Sequence, residues 1–220
     1  MTITSNSERA RFNMVEQQVR PWEVLDFRVL EVLRQVPREA YVPERYQNVA
    51  YADLAIPLPC GQHMLKPVHE GRILQALLVN DEDEVLLIGG GSGYLAACLA
   101  KLGRAVTALE PHLELAQAAS LRLQQQHVRN VRFLNVDVSE FVPDRSFDAV
   151  AFTGATWQRP DHALRWLKPG GRLLTIHGLS PAQHVELGTF TASSGVLWTQ
   201  LFETDLPYLV GQEPPRDFTL

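Results

Sequence analysis

The sequence has few of the features that mark specialised classes of protein. Its only two cysteines, Cys60 and Cys98, cannot make a disulfide framework, and free thiols suit a reducing compartment. The polar opening lacks the apolar core of a signal peptide, and no apolar run approaches the length that spans a membrane. We therefore expect a soluble, cytoplasmic protein with no membrane partner.

Basic charge is also scarce. The chain has 20 Lys and Arg residues against 25 Asp and Glu residues, which gives a formal net charge of −5. Because phosphate binding needs a surplus of Lys and Arg on one face, this balance argues against nucleic acid as the main partner. The composition, 45% hydrophobic and 20% charged, is ordinary for a chain that buries a full core.

The length of 220 residues fits a single domain over residues 1–220. Apolar residues recur with helical spacing over 8–20, 26–36 and 68–79, and a proline-rich loop region occupies 41–67. This pattern predicts an N-terminal helical layer over residues 1–80, followed by a core over residues 81–220.

The core alternates between apolar strands and helical segments. The predicted strands are 84–88, 105–109, 131–136, 148–153 and 172–177. The predicted helices are 94–102, 112–126 and 160–167. Such alternation is typical of an α/β fold in which helices cover a parallel sheet. Two final β-rich runs, 184–192 and 195–203, are joined across Ser193, Ser194 and Gly195 and predict an antiparallel hairpin.

The most informative stretch is EVLLIGGGSG, over residues 84–93, in which a strand ends in Gly89, Gly91 and Gly93 before a helix. Such a turn brings backbone N–H groups against a ligand at the start of a helix. The dinucleotide motif places its third glycine one position later, where Tyr94 stands. The remaining G-x-G-x-G pattern is typical of S-adenosylmethionine (SAM) binding, and the hairpin fits a seven-stranded Rossmann-like methyltransferase sheet.

Two acids follow the next strands of the predicted sheet. Glu110 closes the second strand, where a carboxylate can accept hydrogen bonds from both ribose hydroxyls. Asp137, with the Val138 backbone, follows the third strand and could hold an adenine amino group. Each acid alone could be a solvated loop residue, and the glycines alone could form a turn without a ligand. Together, at the carboxyl ends of neighbouring strands, they favour an adenosine-bearing cofactor.

Several longer stretches carry a resemblance to a known family. These are VLEVLRQVPREAYVP, AYADLAIPLPCGQHMLKP, RNVRFLNVD, FDAVAFTGA, LKPGGRLLTIHG and DLPYLVG. With them, most of the chain resembles the protein-L-isoaspartate O-methyltransferase family. The resemblance implies a SAM-dependent enzyme that methylates the free α-carboxylate of isoaspartyl residues, with a damaged protein or peptide as its substrate. It says nothing of the oligomeric state.

The chain departs from the family pattern in its acceptor loop, where the motif G-Q-T-I-S-Q-P reads GQHMLKP over residues 61–67. Leu65 therefore stands where the resemblance places the active-site serine. We expect Lys66 to supply an anchor for the substrate carboxylate and Asp53 to shape the substrate loop. His63 is expected at the cofactor. A solvated loop lysine and a turn-forming aspartate are the alternatives for Lys66 and Asp53, and no metal site is expected.

Two further positions differ within the cofactor motifs. Leu87 replaces the acid that the family has two positions before the first glycine, and the usual G-D-G is reduced to Val136-Asp137-Val138. We expect SAM binding that is weaker than with the full motif. The alternatives left open are a methyltransferase with another acceptor and a SAM-binding protein that has lost catalysis.

Overall fold

The computed structural model describes residues 6–191 and 195–215. Its α-helices are α1 (Asn6–Asn13), α2 (Phe27–Gln35), α3 (Pro67–Leu77), α4 (Tyr94–Leu102) and α5 (Leu113–Gln125). Its short strands β1 (Ile56–Pro57) and β2 (His63–Met64) form an antiparallel ribbon. The strands of the main sheet are β3 (Glu84–Ile88), β4 (Ala105–Leu109), β5 (Val131–Leu134), β6 (Phe147–Phe152), β7 (Leu167–His177), β8 (Gln183–Thr191) and β9 (Gly195–Thr204).

The seven strands of the main sheet lie in the order β5-β4-β3-β6-β7-β8-β9. The five strands β3, β4, β5, β6 and β7 run parallel to one another. Strands β8 and β9 extend the sheet beyond β7 with antiparallel pairing. The central strands β3 and β6 are apolar and almost wholly buried, as expected for a parallel sheet covered on both faces. The Rossmann-like seven-stranded sheet with its C-terminal hairpin is therefore confirmed, although Ser193 and Ser194 lie outside the described residues.

The N-terminal layer packs on the core through α2 and α3. Helix α2 is amphipathic, and Asp26 caps its N-terminus by accepting a 2.8 Å hydrogen bond from the Arg28 N–H. Its buried face consists of Val29, Leu30, Val32 and Leu33. Helix α2 contacts α3 and α4, so the layer is continuous with the core around the glycine turn.

The structure corrects several predicted boundaries. The helix predicted over 8–20 consists of α1, a π-helical segment Met14–Val19 and a 3-10 turn, and the π segment buries Met14, Val15 and Val19. The strand predicted over 131–136 ends at Leu134, because the Asn135 side chain donates to the carbonyls of Glu110 and Pro111.

The helical segment predicted over 160–167 is present, but it is wound more tightly than an α-helix. It forms a 3-10 helix over Asp161–Trp166, and β7 then begins at Leu167, five residues before the predicted start at 172. The six residues after Pro160 are too few for a stable α-helix, and Trp166 is drawn into the core. No helix among the described residues is both long and apolar enough to cross a membrane.

Candidate functional site

The glycine turn lies at the carboxyl end of β3. The φ values of Gly89, Gly91 and Gly93 are 87°, 51° and 88°. Residues that carry a Cβ atom rarely adopt this region of backbone conformation. A Cβ atom on Gly89 would lie 2.3 Å from Thr153 Oγ1, so this position has no room for a side chain. A Cβ on Gly91 would meet no atom closer than Leu58 Cδ1 at 3.7 Å, because Gly91 faces an open crevice.

The predicted acid Glu110 is bound to this turn. It is 3% exposed, and its Oε2 accepts a 2.8 Å hydrogen bond from the Gly91 N–H while Oε1 accepts one of 3.1 Å from the His112 N–H. Burial raises the pKa of the Glu110 carboxyl, and the two N–H donors act in the opposite direction. The carboxylate is thus held in one orientation at the edge of the crevice.

Asp137 and Val138 lie across from Glu110. Asp137 Oδ1 accepts 2.8 Å and 2.6 Å hydrogen bonds from the N–H and Oγ of Ser139, which fix the carboxylate. Gly89, Glu110, Asp137 and Val138 line one depression, which we call the first crevice. The predicted convergence of these side chains at neighbouring strand ends is therefore present in the fold.

A second crevice adjoins the first one, since Gln62, Gly89, Glu110 and Leu209 line both. His63, Leu65 and Gly91 also line the second crevice, so the acceptor loop faces the glycine turn. Residues 206–209 of the C-terminal segment form another wall of the second crevice. They are held beside the end of β6, because the Ala155 N–H donates to Pro207 O at 3.0 Å and the Leu209 N–H donates to Ala155 O at 2.8 Å.

An outer cavity of about 550 Å³ lies beyond the second crevice. The two share four lining residues, which we call the neck: Ala55, His63, Leu206 and Pro207. Asp53 and Lys66 line the outer cavity, whereas Leu65 does not. The predicted acceptor residues are thus divided, with Leu65 on the inner side of the neck and Asp53 and Lys66 on the outer side.

Most walls of the outer cavity come from residues that the sequence does not predict to lie at the site. Trp22 is 58% exposed at its edge, and the Arg72 guanidinium lies 3.8 Å from the centre of the Phe202 ring. These residues come from three distant parts of the chain, and no local pattern connects them. The segment DLPYLVG did carry a signal, because Leu206 to Leu209 within it line the second crevice.

The predicted cofactor residue Gly93, and Leu87 at the altered motif position, line neither crevice. Gly93 precedes α4, and a Cβ there would lie 3.1 Å from Ala119 Cβ, so the described contact of Gly93 is with α5. Leu87 is fully buried in the core and lines neither crevice.

The residues of the two crevices fit SAM. Gly91 leaves open the space that a side chain would fill, and Glu110 is a buried carboxylate held in one orientation at the edge of the crevice. The site lies outside the carboxyl ends of parallel strands, where open α/β sheets bind ligands. Fold and site together define the class of Rossmann-like, SAM-dependent methyltransferases.

Comparison with known proteins gives the family. A sequence profile of protein-L-isoaspartate(D-aspartate) O-methyltransferase (PCMT) matches residues 10–196. A protein-L-isoaspartate O-methyltransferase of Herpetosiphon aurantiacus is 38% identical over 172 residues, covering 78% of this chain and 77% of that one. Protein-L-isoaspartate O-methyltransferase 1 of Rhodopseudomonas palustris is 35% identical over 205 residues, covering 92% and 84%. The chain therefore belongs to the PCMT family, whose members are SAM-dependent methyltransferases.

The fold is shared with a solved structure as well. A Plasmodium falciparum protein described as a protein-L-isoaspartate O-methyltransferase, in complex with S-adenosyl-L-homocysteine, superposes with a TM-score of 0.76. The match covers 94% of this chain and 99% of that one at 18% identity. At this identity the likeness concerns the fold.

Proposed function

We propose that this chain transfers a methyl group from SAM to the free α-carboxylate of isoaspartyl residues in damaged proteins or peptides. The observation that carries the proposal is the arrangement of the first crevice, second crevice, neck and outer cavity in one series. The outer cavity provides room for an extended segment of chain, and the neck leads from it to the glycine turn. Membership of the PCMT family supports the same acceptor.

The cofactor would be held by residues on the inner side of the neck. Glu110 would accept hydrogen bonds from the ribose hydroxyls, Asp137 and the Val138 backbone would contact the adenine, and Gly89 and Gly91 would allow close backbone approach. Gly93 would set the start of α4 beside the cofactor. His63, which lines the second crevice, would contact the sulfonium end.

The chemistry asks little of acid–base catalysis. A substrate carboxylate with a pKa near 4 is already ionised at neutral pH. When bound, SAM supplies a methyl group on a sulfonium, which is an activated donor. The protein therefore contributes mainly by orienting the acceptor carboxylate and by excluding water.

Lys66 would anchor the acceptor carboxylate. It lines the outer cavity, is half-buried, and forms no ion pair within the parts of the chain that the structure describes. Leu65 places an apolar side chain where a hydroxyl would otherwise orient the carboxylate, so Lys66 would act from the other side of the neck. Asp53, on the same cavity wall, would shape the substrate loop.

The test is the incorporation of labelled methyl groups from SAM into an isoaspartyl peptide and into its aspartyl twin. We expect base-labile methyl ester formation on the isoaspartyl peptide alone. Equal labelling of both peptides, or turnover on neither, would contradict the proposed acceptor.

Leu65 favours a second candidate, in which the chain binds SAM and acts on a different carboxylate or has lost catalysis. Calorimetry separates the two candidates, because S-adenosylhomocysteine (SAH) would bind in both while only the first would bind an isoaspartyl peptide in the presence of SAH.

A further inference from the structure

A wholly buried arginine connects the acceptor loop to the cofactor turn. Arg38 is 0% exposed, and its three guanidinium nitrogens each donate a hydrogen bond. Nε donates to Ala50 O at 2.8 Å, Nη2 donates to Leu65 O at 2.7 Å, and Nη1 donates to the Glu70 carboxylate. Leu65 is the residue that faces the second crevice, so Arg38 holds the backbone at the acceptor position.

The partner Glu70 lies in the first turn of α3, which directly follows the acceptor loop. Its side chain is 2% exposed and pairs with Arg38, while its backbone N–H donates to Lys66 O at 3.1 Å. The carbonyls of both Leu65 and Lys66 are therefore held from the interior. The preceding residues His63 and Met64 are paired with β1, so residues 63–66 are all held through their backbone.

Arg38 also contacts the cofactor side. Its guanidinium carbon lies 5.0 Å from the centre of the Tyr94 ring, and Tyr94 directly follows Gly93 of the glycine turn. The Tyr94 ring is in turn packed edge-on against Tyr41, with 5.7 Å between the ring centres. A cation over an aromatic face is attracted to it. The Arg38 guanidinium is therefore oriented both by its hydrogen bonds and by the Tyr94 ring.

We propose that Arg38 is a positioning residue, which fixes the backbone of Leu65 and Lys66 relative to the glycine turn and so sets the distance between acceptor and methyl group. The planar guanidinium suits this task, because one rigid group binds two loop carbonyls and a carboxylate at fixed angles. Transfer rates depend steeply on such placement, and a shift of about 1 Å can cost roughly 100-fold. The inference rests on the proposed function for its kinetic readout.

The decisive variant is Arg38→Lys, since an ammonium keeps the charge but cannot make all three bonds with this geometry. We expect kcat at saturating SAM and isoaspartyl peptide to fall roughly 100-fold. The SAH dissociation constant should stay within about threefold, because the first crevice is untouched. A kcat equal to that of the parent, or an SAH affinity that falls as much as kcat, would overturn the proposal.

A matched control is Arg172→Lys. Arg172 pairs with Asp83, donates to Leu78 O at 3.0 Å, and lies near the amino ends of β3 and β6, whereas the crevices lie at the carboxyl ends of these strands. The Arg172→Lys variant should lose about as much folding stability as Arg38→Lys, while its kcat should equal that of the parent protein. If Arg38→Lys does not fold, the double variant Arg38→Met/Glu70→Met replaces the ion pair by apolar side chains, a change that buried pairs often tolerate. This variant also loses the bond to Leu65 O, so the same fall in kcat is expected.

Amide hydrogen exchange gives a readout that does not depend on the acceptor. Exchange at residues 63–66 should rise roughly tenfold or more in the Arg38 variants, while exchange at residues 89–93 stays unchanged. Uniform acceleration across both segments would overturn the positioning role. If the parent protein itself does not methylate the isoaspartyl peptide, the proposed acceptor fails while the exchange result still decides the role of Arg38.

Discussion

The inner and outer sides of the neck are built in different ways. On the inner side, backbone groups at strand ends define the site, and the key acid Glu110 is buried and bound by two N–H donors. On the outer side, side chains from separate segments form a wide cavity, and Lys66 and Asp53 have no ion-pair partner among the described residues. The cofactor side is therefore fixed before a ligand binds, whereas the acceptor side is the part that sequence changes can redirect.

The substitution Gly89→Ala should have the largest effect, because it disrupts the glycine turn on the inner side of the neck. The added Cβ would overlap Thr153 Oγ1 at 2.3 Å and would require φ near 87°. The left-handed backbone costs about 1–2 kcal/mol and the overlap about 1–3 kcal/mol more. We expect a lower thermal midpoint and loss of SAH binding by calorimetry. Gly170→Ala is the control, because φ is 80° there and no atom lies within 4 Å of the added Cβ. This variant should show only the cost of the left-handed backbone, without any steric overlap.

The substitution Glu110→Ala should affect the cofactor and leave the acceptor binding untouched. Removing a charged acceptor of two hydroxyl hydrogen bonds costs about 1.5–3 kcal/mol for each bond. We expect the SAH dissociation constant to rise roughly 100-fold or more, measured by calorimetry. Glu140→Ala, an exposed acid near Asp137, should change nothing. An unchanged SAH affinity in Glu110→Ala would remove Glu110 from the cofactor site.

Leu65→Ser tests whether the acceptor side is altered. The hydroxyl should hydrogen-bond the substrate carboxylate, which contributes about 1.5–3 kcal/mol and raises kcat/KM for an isoaspartyl peptide roughly 10-fold or more. The control is Leu65→Ala, which opens the same space without a donor. If both variants gain equally, relief of crowding rather than a hydrogen bond would be the cause.

The substitution Lys66→Ala should have a smaller effect, confined to the acceptor. A partly exposed ion pair contributes about 1 kcal/mol, so KM for the isoaspartyl peptide should rise roughly fivefold with SAH affinity unchanged. Lys101→Ala, at the exposed end of α4, serves as the control. Identical kinetics in the two variants would show that Lys66 is only a solvated loop residue.

The pH dependence of SAH affinity should follow Glu110. Burial raises the pKa of the Glu110 carboxyl. On acidification the carboxyl is therefore protonated at a higher pH than an exposed glutamate, and the ionised form, which would accept the hydroxyl hydrogen bonds, is lost earlier. SAH affinity should therefore fall as the pH drops through this raised value. For the free protein the sign is opposite, since a raised pKa contributes stability at low pH that is lost as the pH rises through it. In Glu110→Gln both trends should vanish.

The two sides also differ in how far the sequence predicts them. Gly89, Glu110 and Asp137 could be placed because each comes shortly after the end of a strand, and the ends of parallel strands meet at one edge of the sheet. The outer cavity could not be predicted, since Trp22, Lys66 and Phe202 meet only through packing of the N-terminal layer on β9. Arg38 lies in the stretch VLEVLRQVPREAYVP, but its burial against Leu65 O and Glu70 depends on tertiary structure.

The central claim is that the residues around Gly89, Glu110 and Asp137 form a SAM site while the acceptor loop, with Leu65 and Lys66, has changed. Titration of the protein with SAH by isothermal calorimetry tests this most directly. We predict binding of one SAH per chain that Glu110→Ala weakens strongly and that Leu65→Ser and Lys66→Ala leave unchanged. No heat of binding at millimolar SAH, or equal weakening by all three substitutions, would contradict the account.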